Sequence, residues 1–156
     1  MKVLLTTLNA KYIHSNLAIR YLSAASCGIG ADVSCREFTI NNEEDYIYGE
    51  LIRGSYDLIG FSCYIWNIEK ILRLARWIKQ AKPQTKILLG GPEASYQSIE
   101  WFNCNEFIDF VVTGEGERCF PELIKALIEP DTSKFRKLKG LIFRWNGETG
   151  ENPKRE

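Results

Sequence analysis

The sequence predicts an α/β protein in which helices cover both faces of a doubly wound, mainly parallel sheet, giving three layers. First, short apolar segments alternate with longer segments whose apolar residues recur at helical spacing. Second, most of the short segments are apolar almost throughout, as in strands that are covered on both faces. Third, glycines or small polar residues follow most of them and would end each strand.

The first strand–helix unit begins at the N-terminus. Residues 2–8 form a compact run of apolar and β-branched residues, which predicts the first strand. Ser15 can cap the helix that follows, because its hydroxyl can accept from a free backbone amide. An apolar stripe runs from Leu17 and ends near Gly28 or Gly30, so we expect this helix to be amphipathic.

The second unit has a more exposed strand. Residues 31–40 alternate apolar and polar side chains, which predicts a strand near a sheet edge. Residues 41–45 then provide a cap and first-turn acids, which suit the positive end of a helix dipole. This helix should stop at Gly54.

The third and fourth strands are the most apolar. Residues 57–63 predict a central strand, and Asn67 can cap the helix after it, which Pro83 closes. Residues 85–89 predict the fourth strand, which runs directly into the glycine pair 90–91. Two residues without Cβ at that point allow a ligand to approach the backbone closely.

The last elements follow in the same manner. We expect a short helix over residues 98–102, a central strand over 107–113 and a break at 114–117. The next helix should end at Pro130, and residues 140–145 predict a final strand.

Together these elements predict a flavodoxin-like (Rossmann-like) strand order, 2-1-3-4-5, with an extra strand at the C-terminal edge. A turn at Asn146-Gly147 would close the domain, which we place at residues 1–147. Residues 148–156 are polar, and we expect a tail that is not ordered throughout.

Composition limits the partners. The chain has 156 residues, enough for one domain, and its 20 basic residues balance its 20 acidic ones. No basic run indicates nucleic acid as a partner. The longest apolar runs have the length of strands, so we expect neither a signal peptide nor a membrane span, and a cytoplasmic location.

Metal and catalytic residues are few. The five cysteines lack metal-binding spacing, and we expect reduced thiols that are mostly buried. The single histidine, His14, excludes a metal site built from several histidines of this chain. The acids Glu115 and Glu117 are explained by a helix start. We therefore predict a binding domain without a metal site or catalytic residues of its own.

The loops after the strands should share one rim, where ligands bind in open α/β sheets. These loops comprise residues 7–14, 62–66, 90–93 and 114–117. The crevice should open between the first and third strands, where a large flat ligand would fit, and Tyr12, Tyr64 and Trp66 could pack against it.

Other uses of this fold fit the loops less well. A phosphoacceptor receiver needs acids after the first and third strands, where this chain has Thr6, Thr7, Ser62 and Cys63. A flavin phosphate loop would contain a glycine after the first strand, and residues 6–11 have none. No Walker loop or GxGxxG fingerprint occurs.

Two motifs resemble a known family. Residues 88–94 (LLGGPEA) are followed one helix later by residues 109–117 (DFVVTGEGE), while residues 57–62 and 2–9 match its third and first strands. In order and spacing they resemble the N-terminal cobalamin (B12)-binding domain of B12-dependent radical SAM proteins. The relatives include the anaerobic magnesium-protoporphyrin IX monomethyl ester oxidative cyclase family.

The resemblance implies a binding site for cobalamin. Gly90 and Gly91 would let the cofactor tail lie against the backbone, with Ser62 near the displaced nucleotide base. The cofactor-binding residues so expected are Thr7, Asn9, Tyr12, Ser62, Tyr64, Trp66, Gly90, Gly91, Pro92, Glu93, Gly114, Glu115 and Gly116. We also expect Gly91→Val to block the cofactor while leaving the fold intact.

The chain lacks the sequence motif of one group of cobalamin-binding domains. It lacks the DxHxxG motif whose histidine ligates cobalt in the mutase and methionine synthase type of domain. As in the radical SAM relatives, we expect base-off cobalamin without a protein histidine on cobalt, and no such role for His14.

The CxxxCxxC motif that holds the [4Fe–4S] cluster in this family is also missing. The resemblance therefore implies an N-terminal fragment, inactive alone, whose partner is a C-terminal radical SAM domain that carries the cluster and S-adenosylmethionine. The full protein would catalyse methyl transfer or oxidative cyclisation. The alternatives are a cofactor-independent regulatory or interaction domain, and a binder of FMN or a nucleotide.

Overall fold

The structure, a computed structural model, describes residues 1–154. Within this range a seven-stranded sheet is flanked by helices. The elements in chain order are β1 (Lys2–Asn9), α1 (Leu17–Ala25), β2 (Asp32–Thr39), α2 (Glu44–Arg53), β3 (Leu58–Ser62), α3 (Ile68–Ala81), β4 (Lys86–Gly90), α4 (Pro92–Tyr96), α5 (Ser98–Cys104), β5 (Phe110–Val112), α6 (Gly116–Ile128), α7 (Thr132–Phe135), β6 (Leu141–Trp145) and β7 (Glu148–Glu151).

The strand order is β2-β1-β3-β4-β5-β6-β7. Strands β1 to β5 run parallel, whereas β6 and β7 are antiparallel to their neighbours. This confirms the predicted order 2-1-3-4-5 and the additional C-terminal strand. The order reverses between β1 and β3, so the connections to these strands leave in opposite directions and open a crevice there.

Two hydrophobic cores cover the two faces of the sheet and confirm the three layers. Alternate residues of β3 point to opposite faces: Leu58 lies in the core with α1, α6 and α7, and Ile59 in the core with α2, α3 and α5. On the first face, Ile19 of α1 and Phe120 of α6 are buried. The face covered by α1 and α6 is the one that holds the site described below.

Two helix starts differ from the sequence predictions. Asn16 caps α1 instead of Ser15, because its Oδ1 accepts from Ile19 N at 3.1 Å. Asn67 precedes α3, but its side chain makes no capping bond to that helix. Within α1, Leu17 was expected on the buried stripe and is 60% exposed, whereas Ile19 is buried.

The C-terminal segment is a hairpin and more ordered than predicted. Asn146 and Gly147 have φ of 49° and 81°, which confirms the turn. Residues 148–156 were expected to form a tail, yet β7 pairs with β6 along its length. Beyond it, Asn152 Nδ2 donates to Phe135 O at 2.7 Å and to Leu138 O at 2.8 Å. Residues 155 and 156 lie outside the described range.

None of the five cysteines, which all lie within residues 1–154, forms a disulfide bond, but the predicted burial is wrong for three of them. Cys63 and Cys119 are buried, whereas Cys27, Cys35 and Cys104 are exposed. In residues 1–154, no group of three or more His, Cys, Asp and Glu side chains is placed to hold a metal ion. No helix in the same range is long and apolar enough to cross a membrane.

Candidate functional site

A cavity of about 420 Å³ lies between helices α1 and α6 and the part of the sheet toward the carboxyl ends of its parallel strands. Strands β1, β3, β4 and β5 form its floor. Its lining residues are Leu5, Ala18, Ile19, Leu22, Gly60, Phe61, Ser62, Tyr64, Leu88, Gly90, Gly91, Pro92, Ser95, Val112, Gly114, Glu115, Gly116, Glu117 and Phe120. Its position agrees with the rim predicted for ligand binding.

Gly60 gives the floor of the cavity its depth. In the sheet register it lies between Leu5 of β1 and Leu88 of β4. A Cβ on Gly60 would stand 2.9 Å from Leu5 Cδ2 and 3.4 Å from Leu88 Cδ2. The missing side chain therefore leaves a depression in the sheet, flanked by two leucines.

The two helices form the walls. Ala18 and Leu22 of α1 and Phe120 of α6 face the cavity. Gly116 begins α6, and a Cβ there would lie 3.0 Å from Leu22 Cδ2. Because Gly116 has no side chain, α6 can start close to α1.

The glycine pair after β4 has two distinct roles. Gly91 has φ of +95°, and a Cβ there would lie 2.7 Å from Cys63 O and 2.9 Å from Cys63 N. It therefore permits the ends of β3 and β4 to pack, and Gly91→Val would disturb the fold, contrary to the expectation above. Gly90 is open: its Cβ would have no heavy atom nearer than Val112 O, at 3.8 Å. By strand alternation that Cβ would point to the same face as Leu88, which lines the cavity.

Ser62 has an unused hydroxyl at the cavity. Its Oγ is buried and has no hydrogen-bond partner among the described residues. Its backbone oxygen is occupied, because Thr7 Oγ1 donates to it at 2.9 Å. Buried hydroxyls are normally paired, so this wall residue is suited to a ligand that offers a hydrogen-bonding atom.

Two of the predicted aromatic residues lie side by side. The rings of Tyr64 and Trp66 stack with 4.6 Å between their centroids. The Tyr64 ring lines the cavity, and its hydroxyl accepts from Asn16 Nδ2 at 3.0 Å. Trp66 does not line the cavity, is 49% exposed, and donates from Nε1 to Leu8 O at 3.3 Å.

A second, polar depression of about 390 Å³ lies next to the ends of β1 and β2, and Asn9, Tyr12 and His14 line it. Asn9 Nδ2 donates to Glu37 Oε2 at 2.7 Å and to His14 O at 2.8 Å. Burial raises the pKa of the Glu37 carboxyl, but hydrogen bonds from Asn9, Asn16 and Arg20 outweigh it and hold the pKa below its ordinary range. Glu37 is thus a carboxylate already committed to structural partners.

The cavity brings together most, but not all, of the residues predicted from the sequence. It is lined by Ser62, Tyr64, Gly90, Gly91, Pro92, Gly114, Glu115 and Gly116. The remaining predicted residues do not line it: Thr7, Asn9, Tyr12, Trp66 and Glu93. Thr7 is buried beneath the strand ends, and Asn9 and Tyr12 belong to the second depression.

Most of the apolar lining was not predicted from the sequence. The apolar residues not predicted are Leu5, Ala18, Ile19, Leu22, Gly60, Phe61, Leu88, Val112 and Phe120, and the polar ones are Ser95 and Glu117. One feature of the sequence points to them: Gly60 interrupts an otherwise apolar strand, and a glycine inside a strand often marks a site that another group approaches closely.

Sequence comparison finds relatives that are much longer. The cobalamin-dependent radical SAM methyltransferase TokK of Streptomyces tokunonensis is 28% identical over 98 residues, which are 63% of this chain and 14% of TokK. The 2-(S-pantetheinyl)-carbapenam-3-carboxylate methyltransferase of Streptantibioticus cattleyicolor is 34% identical over 68 residues, 44% of this chain and 10% of that protein. Both are methyltransferases by name, so the resemblance to the oxidative cyclase family is the minor one.

Structural comparison supports the same fold. The radical S-adenosylmethionine methyltransferase TsrM of Kitasatospora setae superposes with a TM-score of 0.79 at 20% identity, over 97% of this chain and 30% of TsrM. At this identity the likeness establishes the fold alone. The described chain thus has the architecture of one part of a larger protein of known structure.

A model of the B12-binding domain family matches residues 3–124. The matched range includes β1 to β5, α1 and most of α6, which are the elements that form the floor and walls of the cavity. It also contains the glycine pair and Ser62. The chain belongs to the B12-binding domain family.

Proposed function

We propose that the chain binds cobalamin with the nucleotide tail in the cavity between the sheet and the helices α1 and α6. The observation that carries this proposal is a deep, mainly apolar cavity at the carboxyl ends of parallel strands, with the unpartnered Ser62 hydroxyl on its wall. Gly90 would let the tail approach the end of β4, and the exposed loop at Gly114 would border it. When bound, the cofactor supplies a cobalt centre for methyl-group or redox chemistry.

We further propose that the tail base is displaced from cobalt and that no histidine of this chain replaces it. His14 lines the second depression and not the cavity. Its backbone oxygen is held by Asn9, which fixes the loop there. His14→Ala should leave cobalamin affinity and the absorption spectrum of the bound cofactor unchanged, and a changed spectrum would contradict this part of the proposal.

The activity of the whole protein is a separate proposal. The names of TokK and TsrM indicate radical SAM methyltransferases, of which this chain spans 14% and 30%. We infer that the chain is the cobalamin-binding module of such an enzyme, and that S-adenosylmethionine and an iron–sulfur cluster are bound by another domain, its partner. Methyl transfer is favoured over oxidative cyclisation because the matched relatives are methyltransferases. The cytoplasmic location remains a prediction.

The alternative of FMN or another nucleotide as ligand has less support. The only charged side chains that line the cavity in the described structure are Glu115 and Glu117. A dianionic phosphate monoester would meet like charges there and no lysine or arginine. Titration with FMN serves as the comparison ligand in the experiment below.

The test is equilibrium binding of cobalamin, measured by absorbance and calorimetry, to the chain and to two matched variants. Gly90→Leu should place a side chain in the cavity without a backbone clash and weaken cobalamin binding at least tenfold. Gly49→Leu is the control, because Gly49 lies in α2 and a Cβ there has open space around it. Equal affinity of Gly90→Leu and Gly49→Leu would overturn the proposed site, and tighter binding of FMN than of cobalamin would overturn the proposed ligand.

A further inference from the structure

We propose that this cavity selects among cobalamin-like cofactors by the base on their nucleotide tail. It accepts a methylated benzimidazole and rejects a purine. The inference rests on the proposed function, because it assumes that the tail enters the cavity. It goes further by assigning the selection to particular residues of the floor and walls.

The buried part of the lining offers almost only hydrocarbon. Leu5, Leu88 and Val112 lie on the sheet, and Phe120 closes the cavity from α6. Their side chains can neither donate nor accept a hydrogen bond. A base that enters this region therefore gains from burying apolar surface and loses wherever it carries polar atoms.

Among the polar side chains of the lining, Ser62 is the one that is both buried and without a hydrogen-bond partner in the described residues. Glu115 and Glu117 are exposed. Tyr64 and Ser95 are only half-buried, and their hydroxyl oxygens accept from Asn16 Nδ2 and, at 3.1 Å, from Gly114 N, so each keeps one proton to donate. The Ser62 hydroxyl is thus the buried polar group of the lining that is left for a ligand.

The Ser62 hydroxyl could satisfy the one hydrogen-bonding atom that a displaced benzimidazole offers. Once its bond to cobalt is broken, this base has a single free ring nitrogen, which can accept from Ser62 Oγ. Its opposite edge carries only carbon, with two methyl groups in cobalamin. Gly60 precedes Ser62 by two residues, roughly 6.6 Å along the strand, so the depression at Gly60 lies where that edge would reach.

Adenine does not match this arrangement. It carries an exocyclic amine and further ring nitrogens, which are more polar atoms than the single buried hydroxyl of Ser62 can satisfy. Each polar group that is buried without a partner weakens binding by roughly 5- to 150-fold. We therefore expect the adenine-containing analogue to bind at least tenfold more weakly than cobalamin.

The test compares the affinities of three ligands for the same chain by calorimetry. These are cobalamin, its adenine-containing analogue and cobinamide, which lacks the nucleotide. All are used in the dicyano form, because cyanide on both axial positions of cobalt displaces every tail base. Differences in the strength of the base–cobalt bond then do not contribute.

The expected order is cobalamin tightest, with the adenine analogue and cobinamide each at least tenfold weaker. Equal affinities of cobalamin and the adenine analogue would overturn the selection while leaving the proposed function intact. Equal affinities of cobalamin and cobinamide would overturn both the selection and the proposed placement of the tail in the cavity, because the tail would then contribute nothing to binding. Failure of all three to bind would instead refute the proposed function.

Gly60→Ala tests the role of the floor. The new methyl group would fill the depression and lie 2.9 Å from Leu5 Cδ2, so the leucine side chain must shift. We expect cobalamin affinity to fall at least tenfold, and the affinity of the analogue with unmethylated benzimidazole to fall less. Gly49→Ala, in open space on α2, is the matched control. If the affinities for both benzimidazole-containing ligands fall equally, or if neither falls, the assignment to Gly60 is wrong. If the variant does not fold, the comparison of the three ligands with the wild-type chain still tests the selection.

Discussion

At the scale of single residues, Asn67 holds together the strand ends on which the site is built. It is fully buried. Its Nδ2 donates to Leu8 O at 3.0 Å and to Ser62 O at 3.3 Å, and its Oδ1 accepts from Tyr64 N at 2.8 Å. The side chain therefore joins the ends of β1 and β3 at the point where the sheet order reverses. From the sequence it could be interpreted only as a helix cap, because these partners are distant in the chain.

We predict that Asn67→Ala lowers the free energy of unfolding by about 2 kcal/mol, because Tyr64 N loses its acceptor in a part-buried position. Urea unfolding followed by circular dichroism measures this change. Asn103→Ala is the control, since Asn103 is exposed on α5, and its effect should stay within about 0.5 kcal/mol. Similar values for the two variants would show that the Asn67 network does not stabilise the strand ends.

Gly91 provides the second prediction at this scale. Gly91→Ala should destabilise the fold more than Gly28→Ala does, although both glycines have positive φ. At Gly28 the new Cβ has open space, so the cost is backbone strain of about 1 kcal/mol. At Gly91 the Cβ also meets the Cys63 backbone, and the total should reach roughly 2–3 kcal/mol. Thermal unfolding of the two variants measures the difference. Equal decreases in Tm would show that the close approach of the β3 and β4 ends does not contribute to stability.

At the scale of elements, Glu37 ties strand β2 to the start of helix α1. Its carboxylate accepts from Asn16 N at 2.8 Å, from Asn9 Nδ2 and from the Arg20 guanidinium. Because these donors depress the pKa of Glu37 in the folded state, the stabilisation is fully present above the ordinary glutamate pKa. It is lost as the pH falls through the depressed value.

Glu37→Gln should therefore lower stability at pH 7, and its difference from the wild-type chain should shrink as the pH is lowered from 5 to 3. Denaturant unfolding at several pH values measures this difference. The exposed Glu151→Gln is the control and should show no comparable trend. A difference that is independent of pH would mean that the charge of Glu37 does not stabilise the contact between β2 and α1.

The elements also show what the sequence can and cannot predict. The buried strands were predictable because a continuous apolar run such as residues 57–63 is typical of a parallel strand covered on both faces. Strand β7 was not, because its residues are polar and it is held by backbone bonds to β6 and by Asn152 beyond it. The orientation of α1 was also missed, because this helix lines the cavity with Ala18 and Leu22 and leaves Leu17 exposed to solvent.

The same contrast applies to the site. Glycine-rich strand ends such as 90–91 are recognisable, and the family resemblance added Ser62. The apolar floor was missed because Leu5 and Leu88 look like any core leucines until the register places Gly60 between them. Asn9 and Tyr12 were included because they follow the predicted first strand, but Asn9 is the last residue of β1 and its side chain binds Glu37 of β2.

At the scale of the whole molecule, the two faces of the sheet are packed differently. The face toward α2, α3 and α5 is a packed core that includes Phe61 and Phe102. The face toward α1 and α6 is opened at Gly60, so that part of its apolar surface lines a cavity instead of a core. The antiparallel strands β6 and β7 extend the sheet on the side of β5, away from the crevice between β1 and β3. The absence of a side chain at Gly60 thus gives this face of the sheet a cavity, which is the site proposed for the cofactor tail.

The most direct measurement of the central claim is isotope-filtered NMR of the labelled chain with bound cobalamin. Nuclear Overhauser effects from the two methyl groups of the tail base would identify the side chains that surround it. The account predicts contacts with the methyl groups of Leu5, Leu88 and Val112. Contacts with Tyr12 and His14 instead, or a bound cofactor whose tail methyl groups contact no residue of the cavity, would contradict it.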